Sequence, residues 1–407
     1  MSETPRLRDV EAFPVEHEGR RLVALRDPAG YTASVVLLSP ALVEIVALFD
    51  GERTIVDIQA ELTRRHGEIV PRADIEQVIE DLDGHGFLDS ARFAARRAET
   101  DAGFLRAASR PACHAGGAYP GEPDALRRAM DGFFLHAAGP GPIDGAAAGG
   151  APVRGLIAPH IDYHRGGPAY AWGYRALAER NDADLFVVLG TCHAGMRDPF
   201  ALTAKDYDTP LGAAPTDRDF VEALARRARQ DCFASELAHR TEHSIEFQAV
   251  FLRYLFAGRR HFTVVPVLAS FAHEALAAGR SPEADPRVPR FLDALGETIA
   301  ASGRRVAVVA GADLAHVGPR FGDPAPLSDD ELARLEREDR AMLQAVEAGD
   351  AGGFFAAVAA DGDRRRICGL SPIYALLRTL GPMRGDLRHY GYWPDREAVV
   401  SYASVVF

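Results

Sequence analysis

From residue 153 onward, runs of consecutive apolar residues alternate with longer stretches in which apolar positions recur every three or four residues. The runs are 153–158, 184–190, 262–269 and 306–311, and the helical stretches between them include 219–229 and 245–256. Strands apolar at consecutive positions are buried on both faces, and intervening helices supply crossover connections. The pattern therefore predicts an α/β fold with a mainly parallel sheet covered by helices. The end, LRHYGYWPD followed by AVVSYASVVF, predicts a hairpin at one edge of the sheet.

The first ninety residues read as a unit of their own. Segments 21–26 and 31–38 pair as strands around the turn Asp27, Pro28, Ala29 and Gly30. A first helix begins after Ser39 with Pro40, whose missing N–H costs nothing there; it buries Leu42, Ile45, Val46 and Phe49 and ends at Gly51. A second over 55–66 and a third over 73–85 each carry an apolar stripe, and a short strand follows at Phe87 and Leu88, which is a small winged-helix order. Residues 96–111 read as a helical connector, and 139–150, rich in Gly, Ala and Pro, as a surface loop of the second domain, 112–407.

The stretch LSPALVEIVALFDGERTIVDIQAELTRRHG, with IEQVIEDLDGHGFLD after it, resembles the PqqD-like domains that recognise peptides during maturation of ribosomally made natural products. The segment 1–95 is therefore expected to be a PqqD-like winged helix. Its third helix carries Glu76, Glu80, Asp81 and Asp83, so phosphates would repel it, and docking of a protein or a structural role is favoured over DNA binding.

The 407 residues, 47% hydrophobic and 26% charged, have the balance of a water-soluble protein with room for two or three units. A formal charge of −12 argues against a nucleic-acid partner and leaves small molecules, peptides or metals. The four cysteines, Cys113, Cys192, Cys232 and Cys368, are too scattered for a disulfide framework, and no run reaches the length of a membrane span. With no signal-peptide pattern at the start, the expectation is a cytoplasmic protein with reduced thiols and no membrane partner.

Chemistry concentrates where the apolar runs end. His160 follows the first run, Cys192 and His193 the second, and Asp313 and His316 the fourth. Ligands bind at the carboxyl ends of strands in open α/β sheets, and metal-capable residues after three separate strands are hard to read as unrelated core histidines. Cys368 lies in RRRICGLSPIYALLRTL, ahead of a helix expected to begin at Ser371 or Pro372; the helix dipole and three arginines would favour its thiolate, against the plainer reading of a small buried residue. In RTEHSIE, His243 and Glu246 share a helix face, so they either brace each other or Glu246 orients His243.

The segments CHAGGAYPG, IAPHIDYHRGG, GTCHAG, EHSIE, VVPVL, GADLAH, ICGLSP and VSYAS lie in the order and spacing of the Memo family, and cover nearly all of 105–407. The resemblance implies a fold like that of class III extradiol dioxygenases, binding of iron or copper, and redox activity. It implies His160, His193 and Cys368 as metal ligands, with Asp313, His316 and His243 lining the pocket as catalytic candidates. In prokaryotes such proteins accompany a radical-SAM protein, the AmmeMemoRadiSam system, which implies that partner. The chain departs from the family at Ile161 and Asp162, Cys192, Ala194 and Leu370, and its added polar groups, Asp162, His164 and Arg165, either recognise a different substrate or face solvent.

The leading expectation is a metal-dependent oxidoreductase, oxygenase-like and built on Fe(II), acting on a small molecule or peptide. Copper or zinc would also suit two imidazoles and a thiolate. Zinc would instead make a hydrolase with Asp313 or His316 as base, and a third reading is a non-enzymatic metal- or peptide-binding protein.

Overall fold

The computed structural model describes residues 3–144 and 151–407, and the chain divides into two compact units, Met1–Arg106 and Ala107–Phe407. The part of the expected loop that falls on 145–150 lies outside the described residues; residues 139–144 before it are irregular.

In the first unit, strands Glu11–His17, Arg20–Arg26 and Val35–Leu38 form an antiparallel sheet in that order. The first of them is absent from the sequence expectation: its side chains, Phe13 included, are almost all exposed, so it has no buried face to set a pattern. Helices Pro40–Val46, Ile55–His66 and Arg72–Gly84 follow. Ser39 and Thr54 cap the first two, and Thr54 with Asp57 forms a reciprocal capping box. The first helix stops at Val46, short of Gly51, and Phe87 and Leu88 contribute one bridge, Leu7 to Leu88, rather than a strand. The helix Ala91–Arg106 belongs to this unit, because Phe93 packs edge-on against Tyr31 and under the Arg8 guanidinium. The division thus falls after Arg106, whereas the sequence expectation puts it at 95 with a connector over 96–111.

The second unit is built on one eight-stranded sheet. Strands Gly155–Ala158, Val306–Gly311, Leu185–Thr191 and Thr263–Ala269 lie side by side in that order, all parallel. Phe200–Leu202 closes one side antiparallel to Thr263–Ala269. On the other side Val399–Val406 pairs with Gly155–Ala158, with Asp313–Val317 and with Asp386–Tyr392, its hairpin partner.

Burial explains why the central strands are apolar throughout. Leu185, Val187 and Leu189 face one core with helices Arg218–Ala228, Arg287–Ala301 and Leu370–Leu380, while Phe186 and Val188 face another with Pro123–Leu135, Tyr163–Arg180 and His243–Phe256. Successive side chains point to opposite faces, and each face has its own helix layer.

Two glycines govern the approach of helix His243–Phe256 to the sheet. A Cβ at Gly190 would lie 2.5 Å from Ser244 Oγ and 2.6 Å from Ile245 Cγ1; one at Gly311 would collide with the Ser244 carbonyl and lie 2.8 Å from Gln248 Nε2. Because glycine occupies both strand ends, the first turn of this helix rests directly on them.

Gly311→Ala should therefore destabilise the protein by about 1–3 kcal/mol through overpacking. Gly132→Ala, in open space on a helix, should be neutral or stabilising by up to about 1 kcal/mol. Paired urea denaturation curves check both, and equal stability of the two variants would disprove the contact argument.

Candidate metal centre

The carboxyl ends of the parallel strands carry the chemistry. His160 lies two residues beyond Gly155–Ala158, His193 two beyond Leu185–Thr191, and Asp313 two beyond Val306–Gly311. His243 is the first residue of helix His243–Phe256, and Cys368 precedes helix Leu370–Leu380.

Three of these residues come together most tightly. One ring nitrogen each of His160, His193 and His243 lies within 4.8 Å of the others. Cys368 Sγ sits 3.1 Å from His160 Nε2, and Asp313 Oδ2 sits 3.7 Å from the same nitrogen. The other oxygen of Asp313 accepts the His160 backbone N–H at 2.9 Å, so this carboxylate positions the His160 backbone. His316, on strand Asp313–Val317, has Nδ1 3.2 Å from the Leu314 carbonyl and its ring 5.1 Å from Phe321, and burial lowers its imidazole below the usual value.

Glu242 is the residue that sequence reasoning missed. Its buried carboxylate accepts the His193 backbone N–H at 2.9 Å, lies 3.0 Å from His193 Nδ1 and 3.4 Å from His243 Nδ1, and caps the helix by accepting the Ser244 N–H at 3.0 Å. The signal in the sequence was its position, an acid immediately before a helix. Glu246, expected either to brace His243 or to orient it, is instead occupied by Arg110, the Tyr119 hydroxyl and the His114 backbone N–H. Arg110, fully buried, also donates to the carbonyls of Glu242 at 2.7 Å and His239 at 3.0 Å, which anchors the segment carrying Glu242 and His243. No feature of the sequence marks Arg110 for this task.

The electrostatics follow from burial. Desolvation, with the nearby His193, brings His160 down to about 3 and leaves it neutral, and burial likewise drives His243 well below the usual imidazole value. Burial also works against charge on His193, but the Glu242 carboxylate outweighs it and raises that imidazole. Burial raises Asp313 to about 6. The expected thiolate-favouring environment of Cys368 is not realised: burial, reinforced by Asp313, pushes the thiol well above its ordinary value. The three arginines are committed elsewhere, Arg364 to Glu338, Arg365 to Asp339 and Arg366 to Asp323. Ionisation of Cys368 therefore depends on a cation at the site, because a coordinated thiol is deprotonated by its metal.

Imidazoles brought together at the strand ends, with a carboxylate and a thiol beside one of them, are a donor set that fits a divalent metal. Cys113, His114 and Glu246 also bring ligand atoms within 4.8 Å of one another, but the Arg110 guanidinium already neutralises Glu246 and opposes a cation there. Cys192, beside His193, is raised to about 12 by burial and stays a thiol. Of the added polar residues, Asp162 and Arg165 pair at 2.8 Å, and the His164 ring lies 6.0 Å from Trp393.

Fold and site define the class, an α/β protein with a histidine cluster at the carboxyl edge of a mainly parallel sheet. Residues 110–406 match the family model described as Memo-like protein, and the chain belongs to the Memo family. It is 30% identical over 403 residues to a MEMO1 family protein of Aquifex aeolicus, covering 98% of this chain and 99% of that one. It is 31% identical over 304 residues to a MEMO1 family protein of Methanopyrus kandleri, covering 72% of this chain and 96% of that one. Among solved structures, an uncharacterized protein of Escherichia coli K12 aligns with 63% of this chain and 99% of its own, at 14% identity and a TM-score of 0.37.

Replacing Glu242 by Gln keeps its shape but removes the charge that orients His193. Metal affinity measured by calorimetry should fall about 10–100-fold, and wild-type affinity in the variant would show that Glu242 has no part in holding the imidazole.

Proposed function

We propose that this protein is a metal-dependent oxidoreductase, oxygenase-like, with Fe(II) held by His160, His193 and Cys368. The observation that carries the reading is the approach of His160 and His193, each just beyond the end of its own strand, with Cys368, ahead of helix Leu370–Leu380, and Asp313 both close to His160 Nε2. The metal, when bound, would supply open positions at which a substrate and an oxidant meet. Asp313 braces the His160 backbone, and His316, on the strand that begins at Asp313, is the group that takes or returns a proton; burial lowers its imidazole below the usual value, which favours the neutral form able to accept one. Asp162 and Arg165, beyond His160, supply polar contacts for a small-molecule or peptide substrate. The architecture, a mainly parallel sheet with ligands at its carboxyl edge, is compatible with kinship to class III extradiol dioxygenases.

Anaerobic reconstitution followed by an oxygen-uptake screen tests this reading. Bound iron in the wild type, its loss in His160→Ala and His193→Ala, and oxygen consumption by the loaded protein are the expected results. Stoichiometric zinc with no oxygen consumption would replace the oxidoreductase by a hydrolase or a binding protein.

The first unit, on the same proposal, is a PqqD-like peptide-docking domain that brings this chain to a peptide or to a radical-SAM partner. The supporting observation is the edge strand Val35–Leu38, which leaves Val35 and Leu37 exposed at the margin of its sheet. Segment 1–106 has its own apolar core, so it suits a pull-down with a candidate peptide or radical-SAM protein. Retention should be lost in the double variant Val35→Asp, Leu37→Asp, and failure of the unaltered segment to retain any candidate would favour a structural role.

A further inference from the structure

His243 stands closer to the centre than a residue that merely lines a pocket. Its ring centroid is 5.2 Å from that of His160 and 4.6 Å from that of His193, while His160 and His193 are 4.8 Å apart. The three rings form a near-equilateral face, and within the described residues this triplet, rather than any containing Cys368, has all its ligand atoms within 4.8 Å of one another.

The far sides of the rings are all occupied by acceptors. His160 Nδ1 lies 2.9 Å from the Gly311 carbonyl, His193 Nδ1 lies 3.0 Å from Glu242 Oε1, and His243 Nδ1 lies 3.4 Å from the same oxygen. Nδ1 of His160 and of His193 is thereby engaged, and Nδ1 of His243 is turned toward the same carboxylate, so Nε2 is the atom each ring has left to offer; on His193, which Glu242 raises, a cation would take the place of a second proton there. His160 is buried, whereas His193 and His243 lie toward solvent, so the cost of an unpaired inward nitrogen falls mainly on His160, and the other two close the face from its open side. The Cys368 thiol faces His160 Nε2 at 3.1 Å, which leaves Nε2 of His193 and of His243 open to a shared cation. A carboxylate or carbonyl behind an imidazole is also the arrangement that fixes metal-ligating histidines.

We propose that His243 is itself a metal ligand, so that His160, His193 and His243 form a three-imidazole face and Glu242 orients two of its members. This rests on the metal reading above and changes its ligand set. Cys368 then adjoins the face on its His160 side, and a first-row divalent ion is held without it. Imidazole suits copper, iron, nickel and zinc alike, so the face accepts any of them and the thiol adjusts the preference.

The test is Cu(II) titration of the purified full-length protein, with coordinated nitrogens counted by pulsed electron paramagnetic resonance. Three imidazoles are expected in the wild type and in Cys368→Ser. Two are expected in His243→Ala, with affinity lowered more than about tenfold, a loss above about 1.4 kcal/mol. His243→Asn, which keeps a polar side chain toward Glu242, guards against misfolding and should show the same count of two, with circular dichroism matching the wild type. An unchanged count and affinity in both His243 variants, while His160→Ala and His193→Ala abolish binding, would overturn this inference and leave the metal reading standing. Absence of binding by the wild type would overturn both.

Discussion

The centre depends on how closely the first turn of helix His243–Phe256 approaches the sheet. Gly190 and Gly311 stand at the ends of neighbouring parallel strands without side chains, and Ser244 and Gln248 occupy the space a Cβ would need. The approach brings Glu242 behind His193 and His243 in front of His160. Any larger residue at either strand end would lift the helix and separate the imidazoles. The same contact makes the histidine cluster a property of packing rather than of any one loop.

Around this contact the protein distributes its buried charge in two layers. Nearest the rings, Glu242 is stabilised by His193 and by backbone N–H groups, so its charge acts on the imidazoles. Behind it, Arg110 and Glu246 form a fully buried pair, and Arg110 also binds the Glu242 carbonyl. A buried pair of this kind contributes little net stability but strongly penalises loss of either partner, which suits it to holding a segment in one position. On the opposite flank, Asp339 takes Arg365, Tyr390 and Ser401, and Ser401 Oγ in turn accepts the Ala315 N–H at 2.9 Å, steadying the strand of Asp313 and His316.

The relatives place these features in proportion. The Memo-like match begins at residue 110, and almost the whole length of the Methanopyrus relative aligns with 72% of this chain, whereas the Aquifex relative aligns with nearly all of it. The family fold therefore does not require a segment as long as this chain's first unit. The unit is accordingly separate in its core, with Ile58, Ile75, Ile79 and Phe87 packed among its own helices.

Much of this was legible along the chain because burial on both faces leaves a run of consecutive apolar residues. The four central strands match the sequence expectation to within a few residues, as do helices Ile55–His66 and Arg72–Gly84, whose stripes are local signals. His160, His193 and Asp313 could be grouped because strand ends in a parallel sheet share one edge. The strand Glu11–His17 was not legible, since exposed side chains carry no period of burial. Nor were the roles of Glu242, Arg110 and Glu246, or the unionised state of Cys368. These are decided by side chains more than a hundred residues apart in sequence, as with Arg110 and Glu246, and by the removal of water around them. Sequence by itself determines which residues stand at the strand ends; only the tertiary structure decides which of them face one another, because hydrogen-bond partners and desolvation exist only after the helices have packed.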